Sequence, residues 1–242
     1  MDIKSDTPIV ILTGAGISKE SGLATFRGEG GLWQGVRVEE VATPEAFLHD
    51  PELVHTFYNA RRDALLNDEI KPNVAHLALA RLEQHWPGGV LLVTQNVDDL
   101  HERAGSQKLI HMHGELLKAR CTACDEEMSW HQHMDVQSYC PSCNKRGHLR
   151  VNVVWFGEMP MHMDVIYRAL RQCGLFISIG TSGHVYPAAG FAQVVSENPD
   201  AKTLELNLEP SLNAEQFSRG AYGLASEIVP EFVDGLLSRL GD

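Results

Sequence analysis

The chain lacks a long apolar segment and has little positive charge. No stretch approaches the roughly 18 uninterrupted apolar residues of a membrane-spanning helix, so no membrane span is expected. Its 20 lysines and arginines are outnumbered by 32 aspartates and glutamates, giving a formal net charge of -12. This balance argues against general binding to nucleic acids or anionic membranes. The segment 1–8 also lacks the apolar run of a signal peptide, so we expect a cytoplasmic protein.

Cysteine is scarce as well, but four of the five cysteines are grouped. Cys121 and Cys124 form one pair, Cys140 and Cys143 a second, and fifteen residues separate the pairs. Two such pairs supply the four thiolates of one tetrahedral zinc ion. A four-cysteine site is coordinatively closed, so the pattern predicts one structural Zn²⁺ per chain. Two disulfides are the alternative, which the lack of secretion features disfavours.

Short apolar, β-branched runs alternate with helical stretches along the chain. The runs cover residues 9–12, 90–93, 175–179 and 203–206, and helices are predicted at 73–84, 161–172, 188–197 and about 230–240. Short continuous apolar runs are typical of strands that are covered on both faces of a parallel sheet. We therefore predict an α/β fold, a Rossmann-like doubly wound parallel sheet, with its ligand crevice at the strand carboxyl ends. The cysteine segment interrupts the alternation and is interpreted as an inserted small zinc-ribbon module.

Small and polar residues follow the predicted strands, where the crevice is expected. Gly14-Ala15-Gly16 follows the first strand, and glycines there allow a tight turn and close approach to a pyrophosphate. The third glycine of the dinucleotide fingerprint is replaced by Lys19, so a plain strand-to-helix turn also fits. Gln95, Asn96 and Asp98 follow the second strand. Such side chains can fix a ribose or an amide, but they are also common helix caps.

Two histidines, in His111-Met112-His113-Gly114, follow another short predicted strand. Histidine can act as a general base because its pKa lies near neutrality. With twelve histidines in the chain, any single one is more often structural than catalytic. These residues alone therefore do not identify a base.

The motifs taken together resemble those of the sirtuin family, the NAD-dependent protein lysine deacylases. From about Pro8 to Pro230 they run in the family's order: Gly14-Ala15-Gly16-Ile17-Ser18, Ser21-Gly22, Phe26-Arg27-Gly28, Thr94-Gln95-Asn96-Val97-Asp98, Leu100-His101, Ala104-Gly105, His113-Gly114, the four cysteines, Gly180-Thr181-Ser182 and Asn207-Leu208-Glu209. One departure is visible: Ala24-Thr25 stands where the family commonly has Pro-Asp.

The resemblance implies one catalytic domain over residues 1–242. It would comprise a Rossmann-like NAD-binding core at about 7–40, 88–116 and 151–242, a small helical insertion at about 41–87, and the zinc module at about 117–150. NAD is then the co-substrate. Its expected contacts are Gly14, Ala15, Gly16, Phe26, Arg27, Trp33, Gln95, Asn96, Asp98, Gly180, Thr181, Ser182, Asn207, Leu208, Glu209 and Ala225.

The resemblance also implies a mechanism, with His113, Asn96 and Asp98 as catalytic residues. The acyl-amide oxygen of the lysine attacks the ribose anomeric carbon as nicotinamide departs, and His113 acts as general base on a ribose hydroxyl. That hydroxyl attacks the resulting imidate, and water completes the reaction, so the products are nicotinamide, O-acyl-ADP-ribose and free lysine. The acylated protein would bind as an added strand, a mode that relies on main-chain hydrogen bonds. Its expected contacts are Val154, Phe156, Gly157, Glu158 and Val185.

A further pair of residues resembles the sub-group of the family that removes succinyl and malonyl groups. Tyr58 and Arg61 are three residues apart on a predicted helix and so share a face, and the small Ala42 precedes them. Arg61 can bind a carboxylate with two hydrogen bonds while Tyr58 donates a third. Solvated arginines on an exposed helix are the alternative. The sequence therefore predicts activity on acetyl, succinyl and malonyl lysine.

Two other functions remain open at this point. One is mono-ADP-ribosyl transfer from NAD to a protein side chain, which also releases nicotinamide. The other is a non-catalytic module, built around the zinc ribbon, that binds NAD or nucleic acid. The retained His113 argues against the first form, and the acidic net charge argues against the second.

Overall fold

The structure is a computed structural model, and it describes residues 3–24, 32–33 and 36–240. The strands are β1 (Ile9–Thr13), β2 (Leu32–Trp33), β3 (Val36–Arg37), β4 (Val90–Thr94), β5 (Leu109–His111), β6 (Gly114–Cys121), β7 (Glu127–Ser129), β8 (Leu149–Val153), β9 (Leu175–Ile179), β10 (Lys202–Asn207) and β11 (Arg219–Tyr222). The helices are α1 (Ala15–Lys19), α2 (Val38–Val41), α3 (Pro44–His49), α4 (Pro51–Leu65), α5 (Val74–His85), α6 (Leu100–Ala104), α7 (Met163–Gln172), α8 (Phe191–Ser196) and α9 (Ala225–Leu237).

The main sheet has six strands in the order β11-β10-β9-β1-β4-β5, and every neighbouring pair is parallel. From β1 the chain builds outward to β4 and β5 on one side and to β9, β10 and β11 on the other. The strand order thus reverses at β1, and the carboxyl ends of β1 and β9 meet at the position where open α/β sheets bind ligands. The prediction of a Rossmann-like parallel sheet is confirmed.

Helices cover both faces of this sheet, as the uninterrupted apolar runs predict. Ile9 and Ile11 of β1 point into a buried cluster with residues of α5 and α9. Val10 and Leu12 point into the opposite cluster, which includes residues of α7 and α8. Because successive strand residues alternate between faces, a strand buried on both sides needs apolar residues at every position.

A second, antiparallel sheet of order β7-β6-β8 carries the cysteine pairs beside it. Helices α2–α4 pack onto β6 and β8 through a separate apolar cluster that includes Val41, Phe57 and Trp155. Helix α5, by contrast, packs against the main sheet. The division into core, helical insertion and zinc module remains a prediction. That prediction assigns α5 to the helical insertion, whereas α5 packs on the main sheet of the core.

The prediction of a last helix at about 230–240 is wrong at its start, because α9 begins at Ala225 and contains Pro230. Proline is most common in the first turn of a helix, and for this reason the predicted helix starts at Pro230. Here the buried residues Val229, Val233 and Leu236 form a stripe at helical spacing against the main sheet. Their packing holds the helix together across the hydrogen bond that the proline removes.

None of the helices in residues 3–24, 32–33 and 36–240 combines the length and apolar character that a membrane crossing requires.

Candidate active site

A cleft of about 950 Å³ opens at the carboxyl ends of β1, β4, β9 and β10. It brings together nearly all of the predicted site residues that the structure describes. Those on its wall are Gly14, Ala15, Gly16, Ala42, Tyr58, Arg61, Gln95, Asn96, Asp98, His113, Val154, Phe156, Gly157, Glu158, Gly180, Thr181, Ser182, Val185, Asn207, Leu208 and Glu209. Residues that are far apart in the sequence therefore share one cavity, and its size suits a dinucleotide together with part of a peptide.

Four predicted residues stand apart from this set. Ala225 starts α9 and packs partly buried against the core, away from the cleft wall. Phe26 and Arg27 lie outside the described residues, and for Trp33 the structure describes its place in β2 but not its side chain. Their predicted contacts with NAD remain predictions.

Gly14 and Gly16 allow two loops of the cleft to touch. A Cβ at Gly16 would lie 2.7 Å from the Cα of Gly180, and one at Gly14 would lie 2.8 Å from its carbonyl oxygen. The Gly16 amide donates to that same oxygen at 2.9 Å. Gly180 itself has a φ of +62°, which favours glycine. The three glycines thus allow the turn after β1 to contact the turn after β9. This role is separate from the predicted close approach of the Gly14-Ala15-Gly16 backbone to a pyrophosphate.

Asn96 and Asp98 are fixed by the first helix. The Asn96 Nδ2 donates to the Gly14 carbonyl and to Ser18 Oγ, both at 3.1 Å, and Ser18 Oγ donates to Asp98 Oδ2 at 3.0 Å. Burial raises the pKa of Asp98 to about 6. Hydrogen bonds from Leu100 and Ser18 lower this pKa, but their effect is smaller than that of burial. Ser18 was not predicted as a site residue, although its place in the first motif was the available signal.

His113 is held as a neutral base. Its Nδ1 lies 3.1 Å from the carbonyl oxygen of Gln95, so this nitrogen carries the proton and donates. Burial lowers the pKa of His113, and the hydrogen bond to Gln95 only partly opposes it. A neutral ring with a protonated Nδ1 leaves the lone pair on Nε2. The residue can therefore accept a proton inside the cleft.

Tyr58 and Arg61 share one face of α4 and line the far part of the cleft with Ala42. Tyr58 is buried, and its hydroxyl accepts a 2.9 Å hydrogen bond from Trp155 Nε1. Arg61 stacks 3.2 Å above the Phe57 ring centroid and donates to the Phe57 carbonyl at 2.7 Å. Burial lowers the pKa of Arg61 to about 10, so it stays cationic at neutral pH. The Trp155 contact was not predicted, because nothing in the sequence links Trp155 to Tyr58.

The segment 154–158 forms another wall, and most of its amides are already engaged. Those of Val154 and Phe156 donate to the carbonyls of His113 and Ala42, both at 2.9 Å. Those of residues 155 and 158 also donate within the segment. The Glu158 carboxylate is held by Arg150 at 2.7 and 3.0 Å. A bound peptide can therefore pair with the carbonyls and the Gly157 amide of this segment.

Apolar residues that were not predicted as site residues complete the lining of the cleft. They include Leu65, Ile70, Leu116, Val153 and Leu212. Apolar residues in strands and helices have the same sequence pattern whether they line a cavity or fill a core.

The four grouped cysteines fit one zinc ion. Sγ of Cys121 lies 3.7 Å from that of Cys143, and Sγ of Cys124 lies 3.8 Å from that of Cys140. Zinc–sulfur bonds of about 2.3 Å in a tetrahedron place two sulfurs about 3.8 Å apart. A disulfide requires about 2.05 Å, so the alternative of two disulfides does not fit, and none of the five cysteines is in a disulfide.

Comparisons with known proteins agree with this geometry. The model of the Sir2 family matches residues 14–187. A protein from Escherichia coli (strain K12), described as an NAD-dependent protein deacylase, is 55% identical over 232 residues, which are 96% of this chain and 83% of the relative.

Solved structures agree as well. A Sir2 homolog–NAD complex has a TM-score of 0.87 at 38% identity, covering 98% of this chain and 92% of the other. A Sir2–p53 peptide–NAD⁺ complex has a TM-score of 0.75 at 29% identity, covering 96% and 93%. The resemblance seen in the motifs is confirmed over nearly the whole chain, and the protein belongs to the Sir2 family.

Proposed function

We propose that the protein removes acyl groups from protein lysines with NAD as co-substrate. The observation that carries this proposal is the position of His113, a neutral histidine with its lone pair on Nε2, in the same cleft as Asn96 and Asp98. The name of the Escherichia coli relative and the peptide and NAD complexes of related structures support it. They also favour deacylation over ADP-ribosyl transfer and over a binding module without catalysis.

The residues of the cleft divide between the two substrates. The loops at 14–16, 180–182 and 207–209 would hold the adenosine and pyrophosphate of NAD, with Phe26, Arg27 and Trp33 covering its other end. Asn96 and Asp98 would orient the nicotinamide and its ribose. When bound, NAD would supply the anomeric carbon that the acyl-amide oxygen attacks and the ribose hydroxyl that finally carries the acyl group. His113 takes the proton of a ribose hydroxyl, for which its neutral state at pH 7 is required.

The acylated protein would enter as an extended strand between segments 154–158 and 183–186. Val154, Phe156, Gly157 and Glu158 line one side of this slot, and Val185 the other. Recognition through the main chain draws little information from side chains. We expect the enzyme to accept acyl-lysine in many sequence contexts. A zinc site of four thiolates requires reduced cysteines, which fits a reducing compartment, and we infer that the protein acts in the cytoplasm.

Mass spectrometry of the products tests the activity. The protein, NAD and an acetyl-lysine peptide should yield nicotinamide, free lysine peptide and O-acetyl-ADP-ribose in equal amounts. A stably ADP-ribosylated protein with no deacylated peptide would contradict the proposal.

We further propose that Tyr58 and Arg61 admit acidic acyl groups. A cation and a hydroxyl in a cleft whose lining also includes Leu65 suit a succinyl or malonyl chain with its carboxylate. The neutral acetyl group needs neither, so a small acyl group remains a substrate.

Kinetics on one peptide with acetyl- or succinyl-lysine tests the acyl pocket. Arg61→Met should lower kcat/KM for the succinylated peptide by about tenfold or more, because a desolvated carboxylate would lose its partner. Deacetylation should change far less. The matched variant Arg61→Lys keeps the charge but loses the planar pair of donors. Its kcat/KM for the succinylated peptide should therefore lie between those of the unaltered protein and Arg61→Met. Equal loss of both activities in Arg61→Met would show that Arg61 is structural.

A further inference from the structure

His111, the first histidine of the His-Met-His-Gly motif, lies beside the site but is not used by the proposed reaction. It ends β5 with its side chain only 8% exposed and does not reach the cleft wall. Its Nδ1 lies 3.1 Å from the carbonyl oxygen of Asn96. Its Nε2 lies 2.6 Å from Oε1 of Glu102 on α6. The ring thus connects an exposed carboxylate to the main chain of a residue at the nicotinamide end.

These two contacts define the protonation state of the ring. A carbonyl oxygen and a carboxylate oxygen both accept hydrogen bonds, so each ring nitrogen must donate. Only the imidazolium form carries two N–H groups. Burial lowers the pKa of His111, but the hydrogen bond and charge of Glu102 outweigh it, and the net direction is upward. The geometry and the charges therefore agree on a cationic ring.

A metal site is the competing explanation, because Glu102, His111 and Glu115 lie within ligand distance of one another. Two nitrogen or oxygen ligands at about 2.0 Å from a tetrahedral ion are about 3.3 Å apart. The 2.6 Å between His111 Nε2 and Glu102 Oε1 is too short for that and is a direct hydrogen bond. Glu115 is bound at 2.6 Å by Lys118 Nζ. The cluster is therefore an ion-pair network.

We propose that His111, as an imidazolium held by Glu102, is a positioning residue for Asn96 and Asp98. It fixes the Asn96 main chain through a charge-assisted hydrogen bond, which is stronger than a neutral one. Its positive charge also favours the ionised form of the Asp98 carboxylate. Asn96 and Asp98 face the cleft whereas His111 does not, so His111 acts through them. This inference rests on the proposed function of the cleft.

The groups around the ring favour its positive charge. Two carboxylates on neighbouring elements, Glu102 on α6 and Glu115 on β6, raise the pKa of His111. The buried ring of His101 on α6 has its pKa lowered well below 6.5, so it is neutral and adds no repulsion at pH 7. Asp98 adds a negative charge, and the ammonium group of Lys118 is paired with Glu115.

Nuclear magnetic resonance of the ring nitrogens tests the charge without any activity. In the protein without NAD at pH 7.5, both nitrogens of His111 should carry protons. Glu102→Gln should leave a neutral ring at the same pH. A neutral His111 ring in the unaltered protein at pH 7.5 would overturn the proposal. This readout is independent of deacylation, so it separates failure of this inference from failure of the proposed function.

The pH dependence of kcat/KM for NAD tests the positioning role. His111→Gln should lower kcat/KM about tenfold at pH 7 and move the acidic limb to higher pH by about 1 unit, because Asp98 loses a nearby cation. Glu102→Gln should bring in a loss on the alkaline side, because the ring then deprotonates earlier. Glu102 is largely exposed, so this variant should fold even where His111→Gln does not.

His85→Asn is the matched control. His85 also places a ring nitrogen against a backbone carbonyl, that of Arg81 at 2.9 Å, but at the carboxyl end of α5, which leads into the opposite end of the sheet. This variant should keep the pH profile of the unaltered protein. Folded His111→Gln and Glu102→Gln variants that share that same profile would overturn the positioning role.

Discussion

At the scale of single residues, the cleft holds a carboxylate that is costly to keep ionised. Asp98 is buried, and its pKa is raised from 3.8 to about 6. Between these pH values the folded protein holds a proton that the unfolded chain has lost. Stability therefore falls as pH rises through this window, and above pH 6 the ionised Asp98 costs on the order of 3 kcal/mol. The ionised Asp98 therefore lowers the free energy of unfolding at neutral pH while it places a negative charge in the cleft.

Replacing Asp98 should separate stability from activity. At pH 7.5 we expect Asp98→Asn to raise the thermal midpoint by several degrees and to lower kcat/KM strongly. At pH 4.5 the difference between the two midpoints should be clearly smaller, because Asp98 in the folded protein is then largely neutral. Thermal unfolding at both pH values measures this. A stabilisation of the same size at pH 4.5 would show that burial of the charge is not its cause.

Some site residues could be predicted from the sequence, whereas their long-range contacts could not. The spacing of Tyr58 and Arg61 predicts one helix face, and both line the cleft. The contacts of Ser18 with Asp98 and of Trp155 with Tyr58 join positions about 80 to 100 apart in the chain. Periodicity reports local geometry only, so contacts of this kind appear only once the fold is known.

At the scale of elements, the loops at 14–16 and 180–182 are held together by close backbone contact. A methyl group at Gly16 would meet the Gly180 backbone, which cannot move aside as a side chain can. We expect Gly16→Ala to destabilise the protein by about 1–3 kcal/mol and to weaken NAD binding. Urea unfolding and calorimetry of NAD binding measure the two effects.

The matched control lies in α9. A Cβ at Gly235 meets nothing within 4 Å, so Gly235→Ala should instead stabilise by about 0.5–1 kcal/mol. An unchanged affinity for NAD in Gly16→Ala would contradict the role of this contact.

Elements were predicted best where the pattern is repeated and buried. The four apolar runs all became strands, within one residue at either end. β11 was missed because all four of its residues are exposed, so it lacks the apolar pattern of its neighbours. The start of α9 was missed because packing of its apolar stripe outweighs the preference of proline for a first turn.

At the scale of the whole molecule, the cysteine module is connected to α4, the helix whose residues Tyr58 and Arg61 line the cleft. Met134 belongs to the apolar cluster around Cys121 and Cys140. Its amide donates to Asn59 Oδ1 at 2.9 Å, and its carbonyl accepts from Asn59 Nδ2 at 2.8 Å. Asn59 lies on α4, next to Tyr58. These two hydrogen bonds attach the module to α4, the helix that also carries Tyr58 and Arg61.

Zinc should accordingly stabilise more than its own module. Elemental analysis should find one zinc per chain. Chelation, or Cys140→Ala, should remove it, lower the thermal midpoint and speed hydrogen exchange in α4, because metal binding free energy is also folding free energy. Cys173→Ala is the control, since this buried thiol lies outside the tetrad and its loss should leave the zinc content unchanged. Zinc-free protein from a preparation without chelator would contradict this prediction.

In the proposed reaction, NAD is cleaved in the cleft as the acyl-lysine attacks it, and His113 then acts as the base. The most direct test follows two reactions of His113→Ala with one acetylated peptide: exchange of labelled nicotinamide into NAD, and release of the deacetylated peptide. Exchange reports cleavage of NAD, which does not need the base, whereas release does.

We predict that the variant keeps its fold, its affinity for NAD and much of its nicotinamide exchange, while peptide release falls by roughly 10²–10⁴-fold. Peptide release within a few-fold of the unaltered protein, or a loss of exchange as large as the loss of release, would contradict the account.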